Sequence, residues 1–144
     1  MKLRRIFAMA LAGIMLVLTL ASCTATAPSI NVTLKITPNV DPEFPTILEV
    51  DVPIKSTNPT VLEAFIEGCM VNGIDYTLTD DEKSVVDIDE YPDRVDDETG
   101  VNYYWIYTVN GVEPESGMAS DAVIADGDVI EYIYVSYIPE ETAE

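Results

Sequence analysis

A change of hydrophobic period between residues 30 and 73 constrains this fold more than any other feature. In "INVTLKIT" the residues Ile30, Val32, Leu34 and Ile36 alternate with Asn31, Thr33, Lys35 and Thr37, the period of two of a half-buried strand. "PNVDPEFPT" has three prolines in nine residues and cannot be regular structure. "ILEVDVPIK" then alternates again, with Leu48, Val50, Val52 and Ile54 on one face and Glu49, Asp51 and Lys55 on the other. Pro53 has no amide donor, which puts this strand at a sheet edge. The two runs are expected to pair as an antiparallel hairpin with a long connection.

From Pro59 the period lengthens. In "PTVLEAFIEGCMVNG" the apolar Val61, Leu62, Phe65, Ile66, Cys69 and Met70 recur at spacings of three and four, one stripe of an amphipathic helix. Thr57 or Asn58 can cap it, Pro59 suits its first turn, and Asn72-Gly73 supplies a left-handed stop. Cys69 lies on the stripe and reads as a small core residue rather than a reactive thiol.

"IDYTL" and "SVVDID" follow as short strand candidates, then the acidic stretch "DIDEYPDRVDDETG", then two aromatic strands at about 103–109 and 128–137. This order predicts an α+β domain, one mixed sheet with a single packed helix, in a β-grasp-like topology. On the first aromatic strand Tyr103, Trp105, Tyr107 and Val109 share one face, and Tyr104, Ile106 and Thr108 the other. On the second, Ile130, Tyr132 and Tyr134 oppose Val129, Glu131, Ile133 and Val135. Apolar residues on both faces suit central strands. One helix covers one face, leaving the other for residues 80–100, a partner or a ligand. Tyr and Trp fit either a core or a contact face with wet polar tips.

The N-terminus reads separately. Lys2, Arg4 and Arg5 precede the apolar "IFAMALAGIMLVLTL", and Leu20-Ala21-Ser22-Cys23 resembles the lipobox of bacterial lipoprotein signal peptides. The resemblance implies a signal peptide at 1–22, cleavage before Cys23, and palmitate-type lipidation of that thiol. It implies anchoring on the extracytoplasmic face of the cell membrane. Residues 23–29 form a flexible tether, 30–138 the domain and 139–144 a frayed tail.

Of seven basic and 26 acidic residues, three basic and no acidic ones fall in 1–22, so the remainder carries 4 − 26 = −22. Such a surface repels phosphate backbones and excludes nucleic acid as a partner. There is no His, the usual general base and commonest metal ligand. With Cys23 lipidated, Cys69 has no intramolecular disulfide partner. No nucleophile elbow, Cys–His pair or phosphate-cradling glycine loop is present, so no enzyme is expected. The acidic run from Asp80 to Glu98 lacks calcium-loop spacing and reads as solvated loop, with no metal site expected. Asn110-Gly111 marks a tight turn, and Asp126-Gly127-Asp128 another with Gly127 at positive φ.

Through Tyr104-Trp105, Gly117-Met118 and Asp126-Gly127-Asp128 leading into Ile130-Glu131-Tyr132, the chain resembles the C-terminal β-grasp domain of transcobalamin and intrinsic factor. Bacterial surface lipoproteins carry similar domains. The likeness spans 30–138, with its specific motifs in the last third and one extra residue before Asp126. It implies capture of a cobalamin-type or other planar, hydrophobic small molecule, as ligand and not as resident cofactor. Tyr104, Trp105, Ser116, Gly117 and Met118 are the candidate contacts. The alternative is a module docking on a protein partner, such as a transporter or cell-wall component. Capture needs a concave site between 113–118 and 103–109; docking needs a flat exposed apolar patch.

Overall fold

A computed structural model describes residues 27–39, 46–114 and 117–139; the expected signal peptide, Cys23, Ser116 and the last five residues lie outside these. The elements in chain order are β1 (Ser29–Pro38), β2 (Leu48–Lys55), α1 (Val61–Asn72), β3 (Tyr76–Leu78), β4 (Val85–Ile88), β5 (Tyr91–Pro92), β6 (Arg94–Val95), β7 (Asn102–Val109) and β8 (Val129–Tyr137). The class is mixed α+β. Five strands form one sheet in the order β2-β1-β8-β7-β6. β1 runs parallel to β8, and the other pairs are antiparallel.

The expected hairpin forms with Val32 opposite Val52 and Leu34 opposite Val50, so the apolar faces of β1 and β2 coincide. β2 lies at the sheet edge, where Pro53 costs no ladder bond. The expectation of a single sheet is corrected: β3, β4 and β5 pair among themselves in a second, three-stranded sheet. These strands are two to four residues long and reverse through tight turns, one with Asp89 at φ 58°, so their nearest partners are local.

The helix cap is also corrected. Thr60, extended at φ −123°, accepts the Glu63 N–H at 3.2 Å, and Pro59 stands before the cap. The tertiary structure decides this, because Val61 N–H donates to Ala122 C=O and Leu62 N–H to Ala119 C=O. Those bonds satisfy two of the amides that a helix start leaves unpaired and tie α1 to the loop before β8. Gly73 ends the helix at φ 70°.

The buried stripe runs through Val61, Leu62, Ala64, Phe65, Gly68 and Cys69. Met70, expected on it, is 68% exposed, because Gly68 rather than Met70 faces the sheet. A Cβ at Gly68 would lie 2.5 Å from Leu34 Cδ2 and 3.2 Å from Val52 Cγ2, so the helix approaches β1 and β2 more closely than a larger residue allows.

Helix and small sheet cover the same face of the large sheet. Phe65 meets Tyr76 of β3 and Tyr132 of β8, at centroid distances of 5.3 and 4.6 Å. Tyr91 of β5 packs edge-on to Tyr134 at 5.5 Å and Trp105 at 6.4 Å. Residues 80–100 therefore extend the helix layer instead of crossing the opposite face. That opposite face presents Tyr104, Ile106, Ile133, Val135 and Tyr137 in register, with Tyr104 36% and Tyr137 51% exposed. No helix of the described residues is long and apolar enough to cross a membrane.

Candidate functional site

The free part of the β7 edge is where the site begins. β6 pairs only with Asn102 and Tyr103, so the rest of β7 has β8 on one side alone. Backbone polar groups in an antiparallel ladder alternate between neighbour and outside. Asn110 N–H donates to Val129 C=O, which fixes the even-numbered residues of β7 as those bonded to β8. The odd-numbered ones point outward. Trp105 N–H is taken by Asp93 Oδ1 at 3.1 Å, and Val109 exchanges bonds with Val112 across a turn in which Asn110 and Gly111 are both at positive φ. Tyr107, between them, has an outward N–H and C=O with no partner among the described residues.

Beside this gap lies a cavity of about 250 Å³. β7 contributes Trp105 and Tyr107, β8 contributes Tyr132, and Ser84 and Val85 at the start of β4 close one side. Glu113, Pro114, Gly117 and Ala119 close the other. Ser120 N–H donates to Lys83 C=O at 3.2 Å, fastening that loop to the β4 side. Glu113 is the single ionisable side chain of acidic or basic type among the described lining residues.

The hydroxyls of Tyr107 and Tyr132 are both buried without a hydrogen-bond partner among the described residues. Their rings lie 5.8 Å apart. Burial pushes the Tyr132 hydroxyl well above the ordinary tyrosine range, with Tyr107 and Cys69 adding to the effect. Burial raises Tyr107 too, helped by Asp121. Behind them the Cys69 thiol is pushed up to about 12 by burial, which keeps it protonated and unreactive at neutral pH.

The other end of the aromatic layer is closed. Trp105 Nε1–H donates to Tyr91 C=O at 2.7 Å, and the Tyr134 hydroxyl to Pro92 C=O at 2.6 Å. The Arg94 guanidinium lies 4.1 Å from the centre of the Tyr103 ring, close enough for a cation–π contact.

The candidate contacts separate. Trp105, 8% exposed, and Gly117, at φ 116°, both line the cavity. Trp105 offers an edge there rather than an open ring, since Tyr91 and Tyr134 flank it. Tyr104 points to the opposite face of the sheet, and Met118 is 41% exposed and does not line the cavity. Ser116 and Cys23 lie outside the described residues. Tyr107, Tyr132, Ser84 and Val85 are lining residues that the sequence reading did not select. Tyr107 shared a face with Trp105 in the alternation of β7, the signal that would have found it, whereas only the pairing of β7 with β8 brings Tyr132 beside it.

The acidic segments are occupied locally. Asp81 Oδ1 accepts from Thr79 Oγ1 at 2.6 Å, and Asp96 Oδ1 from the amides of Glu98 and Thr99 at 3.0 Å. These bonds lower both carboxyls below the usual range. Among the described residues no group of three or more His, Cys, Asp or Glu is placed to hold a metal ion.

No protein-family model and no curated protein matches the chain. Among solved structures it is similar to a crystal structure of haptocorrin in complex with Cbi, at 17% identity and a TM-score of 0.57. That match covers 80% of this chain and 27% of the haptocorrin chain. It is also similar to a candidate metal-binding protein from Ruminococcus gnavus ATCC 29149, at 18% identity over 75% of this chain and 98% of the other, with a TM-score of 0.46. At this identity the haptocorrin match shows a shared fold.

Proposed function

We propose that this chain is a β-grasp binding module, exported by residues 1–22, anchored outside the cytoplasmic membrane through lipid on Cys23, and built to capture a small molecule beside β7. The observation that carries this reading is a cavity lined by Tyr107 and Tyr132, whose buried hydroxyls have no hydrogen-bond partner among the described residues, beside a stretch of β7 with no pairing strand there. Small-molecule sites characteristically join apolar walls to a few convergent polar groups. The haptocorrin match, to a structure described as a complex with Cbi, supports a corrinoid as the first ligand to try. The cavity, at about 250 Å³, is below the roughly 300–1,000 Å³ of sites that enclose a drug-sized ligand. It therefore takes an edge or substituent of a large planar molecule, whose remainder lies outside it.

Trp105 is the sole Trp and lines the cavity, so its fluorescence reports occupancy. Titration with cobinamide and cobalamin, corrected for their absorbance and repeated by calorimetry, should give saturable quenching with matching heat. Neither signal at high micromolar ligand would end the corrinoid reading. Anchoring is tested by Cys23→Ser, which should abolish palmitate incorporation and release the chain from the membrane fraction.

A second reading is favoured by the outer sheet face, where Tyr104, Ile106, Ile133, Val135 and Tyr137 form the flat apolar patch that docking on a protein needs. Tyr104→Lys should then abolish crosslinking of the anchored chain to its partner while leaving quenching of Trp105 unchanged.

A further inference from the structure

The unpaired groups beside the cavity have a definite pattern. Going outward along β7, Tyr103 is paired with Arg94, Trp105 N–H is held by Asp93, and Val109 is closed by Val112. What remains without a partner among the described residues is the C=O of Trp105 with the N–H and C=O of Tyr107. One residue of an antiparallel strand satisfies a free N–H and C=O of a single residue by exchanging both bonds with it. The substituent of that added residue lies on the same side of the sheet as the side chain it faces. Opposite Tyr107, that is the side of Tyr132 and the cavity.

The residues that line the cavity constrain the substituent. Tyr132 is 2% exposed, and its buried hydroxyl, like that of Tyr107, has no partner among the described residues. A buried hydroxyl left unsatisfied is destabilising, so a ligand group able to bond both recovers that loss on binding. Among the described residues no Lys or Arg lines the cavity and Glu113 does, in a chain of net charge −19. A negatively charged group therefore has no counter-charge there.

We infer that the ligand adds to the free edge of β7 through an uncharged N–H/C=O pair spaced as in one peptide residue, with a neutral hydrogen-bonding substituent turned toward Tyr107 and Tyr132. The inference rests on the capture reading and names the chemistry captured. It makes the site a one-residue form of strand addition, in which main-chain bonds hold the ligand and a side pocket selects it. The closures at Tyr103 and Val109 exclude a long strand lying along β7, so the unit is a short peptide or an amide-bearing small molecule.

The test is a set of titrations of the full-length, 15N-labelled chain in a mild detergent, read at the backbone amides. N-acetyl-L-serine N-methylamide should shift the Tyr107 amide proton downfield in a saturable way. N-acetyl-L-serine, with its free carboxylate, should bind about tenfold more weakly, the order expected for a charge lacking a partner. Tyr107→Phe combined with Tyr132→Phe removes two hydroxyls that make no bond among the described residues, so the fold is retained. It should weaken the serine probe by about tenfold and leave N-acetylglycine N-methylamide unchanged. N-(2-oxopropyl)acetamide keeps that spacing without a second peptide group and separates the sources: tighter binding of the serine probe supports a peptide, and tighter binding of the ketone an amide-bearing small molecule. If indole shifts the cavity residues while no amide probe moves Tyr107, capture stands and the amide inference falls. If no probe shifts any cavity residue, both fall.

Discussion

Tyr132 and Tyr134 stand two residues apart on β8, face the same side and are equally buried at 2% exposure. The Tyr134 hydroxyl donates to Pro92 C=O at 2.6 Å, whereas the Tyr132 hydroxyl has no partner among the described residues. Around Tyr134 that hydroxyl and the Trp105 Nε1–H are both spent on the backbone of residues 91–92, which fastens the small sheet onto the large one. Tyr132 and Tyr107 line a cavity, and their buried tips have no partner among the described residues. Buried polar groups are normally bonded, and the exceptions point to a site. One half of the layer closes the fold, and the other is the half that the proposed capture would use.

The strongest way to break this contrast is Trp105→Ala, which removes a ring packed on Tyr91 and Tyr134 together with its Nε1 bond. A loss of about 3–5 kcal/mol is expected on chemical denaturation, identifying Trp105 as a structural clamp that also walls the cavity. Tyr134→Phe strands the Pro92 carbonyl and should cost about 1–2 kcal/mol by the same measurement. Tyr132→Phe should have the opposite sign, leaving stability unchanged or raising it by up to about 1 kcal/mol, because it removes a buried group that has no partner. A destabilisation equal to that of Tyr134→Phe would show that the two halves are alike.

Alkali should sharpen the difference further. Cys69, raised to about 12, and Tyr132, raised well above its ordinary value, hold their protons longer in the folded chain than in the unfolded one. Between about pH 9, where an unfolded thiol ionises, and pH 12 the unfolded state thus binds fewer protons, and stability falls as pH rises. Cys69→Ala should flatten that slope in denaturation midpoints measured across this window. The smallest effect belongs to Asp93, raised by burial and then by the charge of Asp87, with the Trp105 N–H acting against both. Its raised value favours the folded state below the ordinary carboxyl range, and that contribution is lost as pH climbs through the folded value. Asp93→Asn keeps an acceptor for Trp105 N–H, and a gain of a few tenths of a kcal/mol at pH 7 that vanishes at pH 3 is expected.

Much of the large sheet was legible because its signals are local. Alternation in 30–37 and 48–54 identified β1 and β2, Pro53 identified the edge, and Gly73 the end of the helix. What misled was also local: the cap at Thr57 or Asn58 and the burial of Met70. Both follow propensity and period, while bonds from Val61 and Leu62 to the 119–122 loop and the close approach at Gly68 decided the outcome. The cavity was half legible. Trp105 and Gly117 carried recognisable motifs, but Tyr107 and Tyr132 looked like any aromatic on a central strand.

The sequence by itself determined which residues lie on each face of each strand, because side-chain direction follows from a period of two whatever the partners. It also determined the turns, where Gly111 and Gly127 sit at φ 76° and 84°, a conformation that glycine adopts without strain. Which face the small sheet covers, and which hydroxyls find a carbonyl, only the tertiary structure decided. Those outcomes depend on contacts between segments far apart in the chain, such as Tyr134 with Pro92, 42 residues away. The periodicity of either segment carries no record of the other.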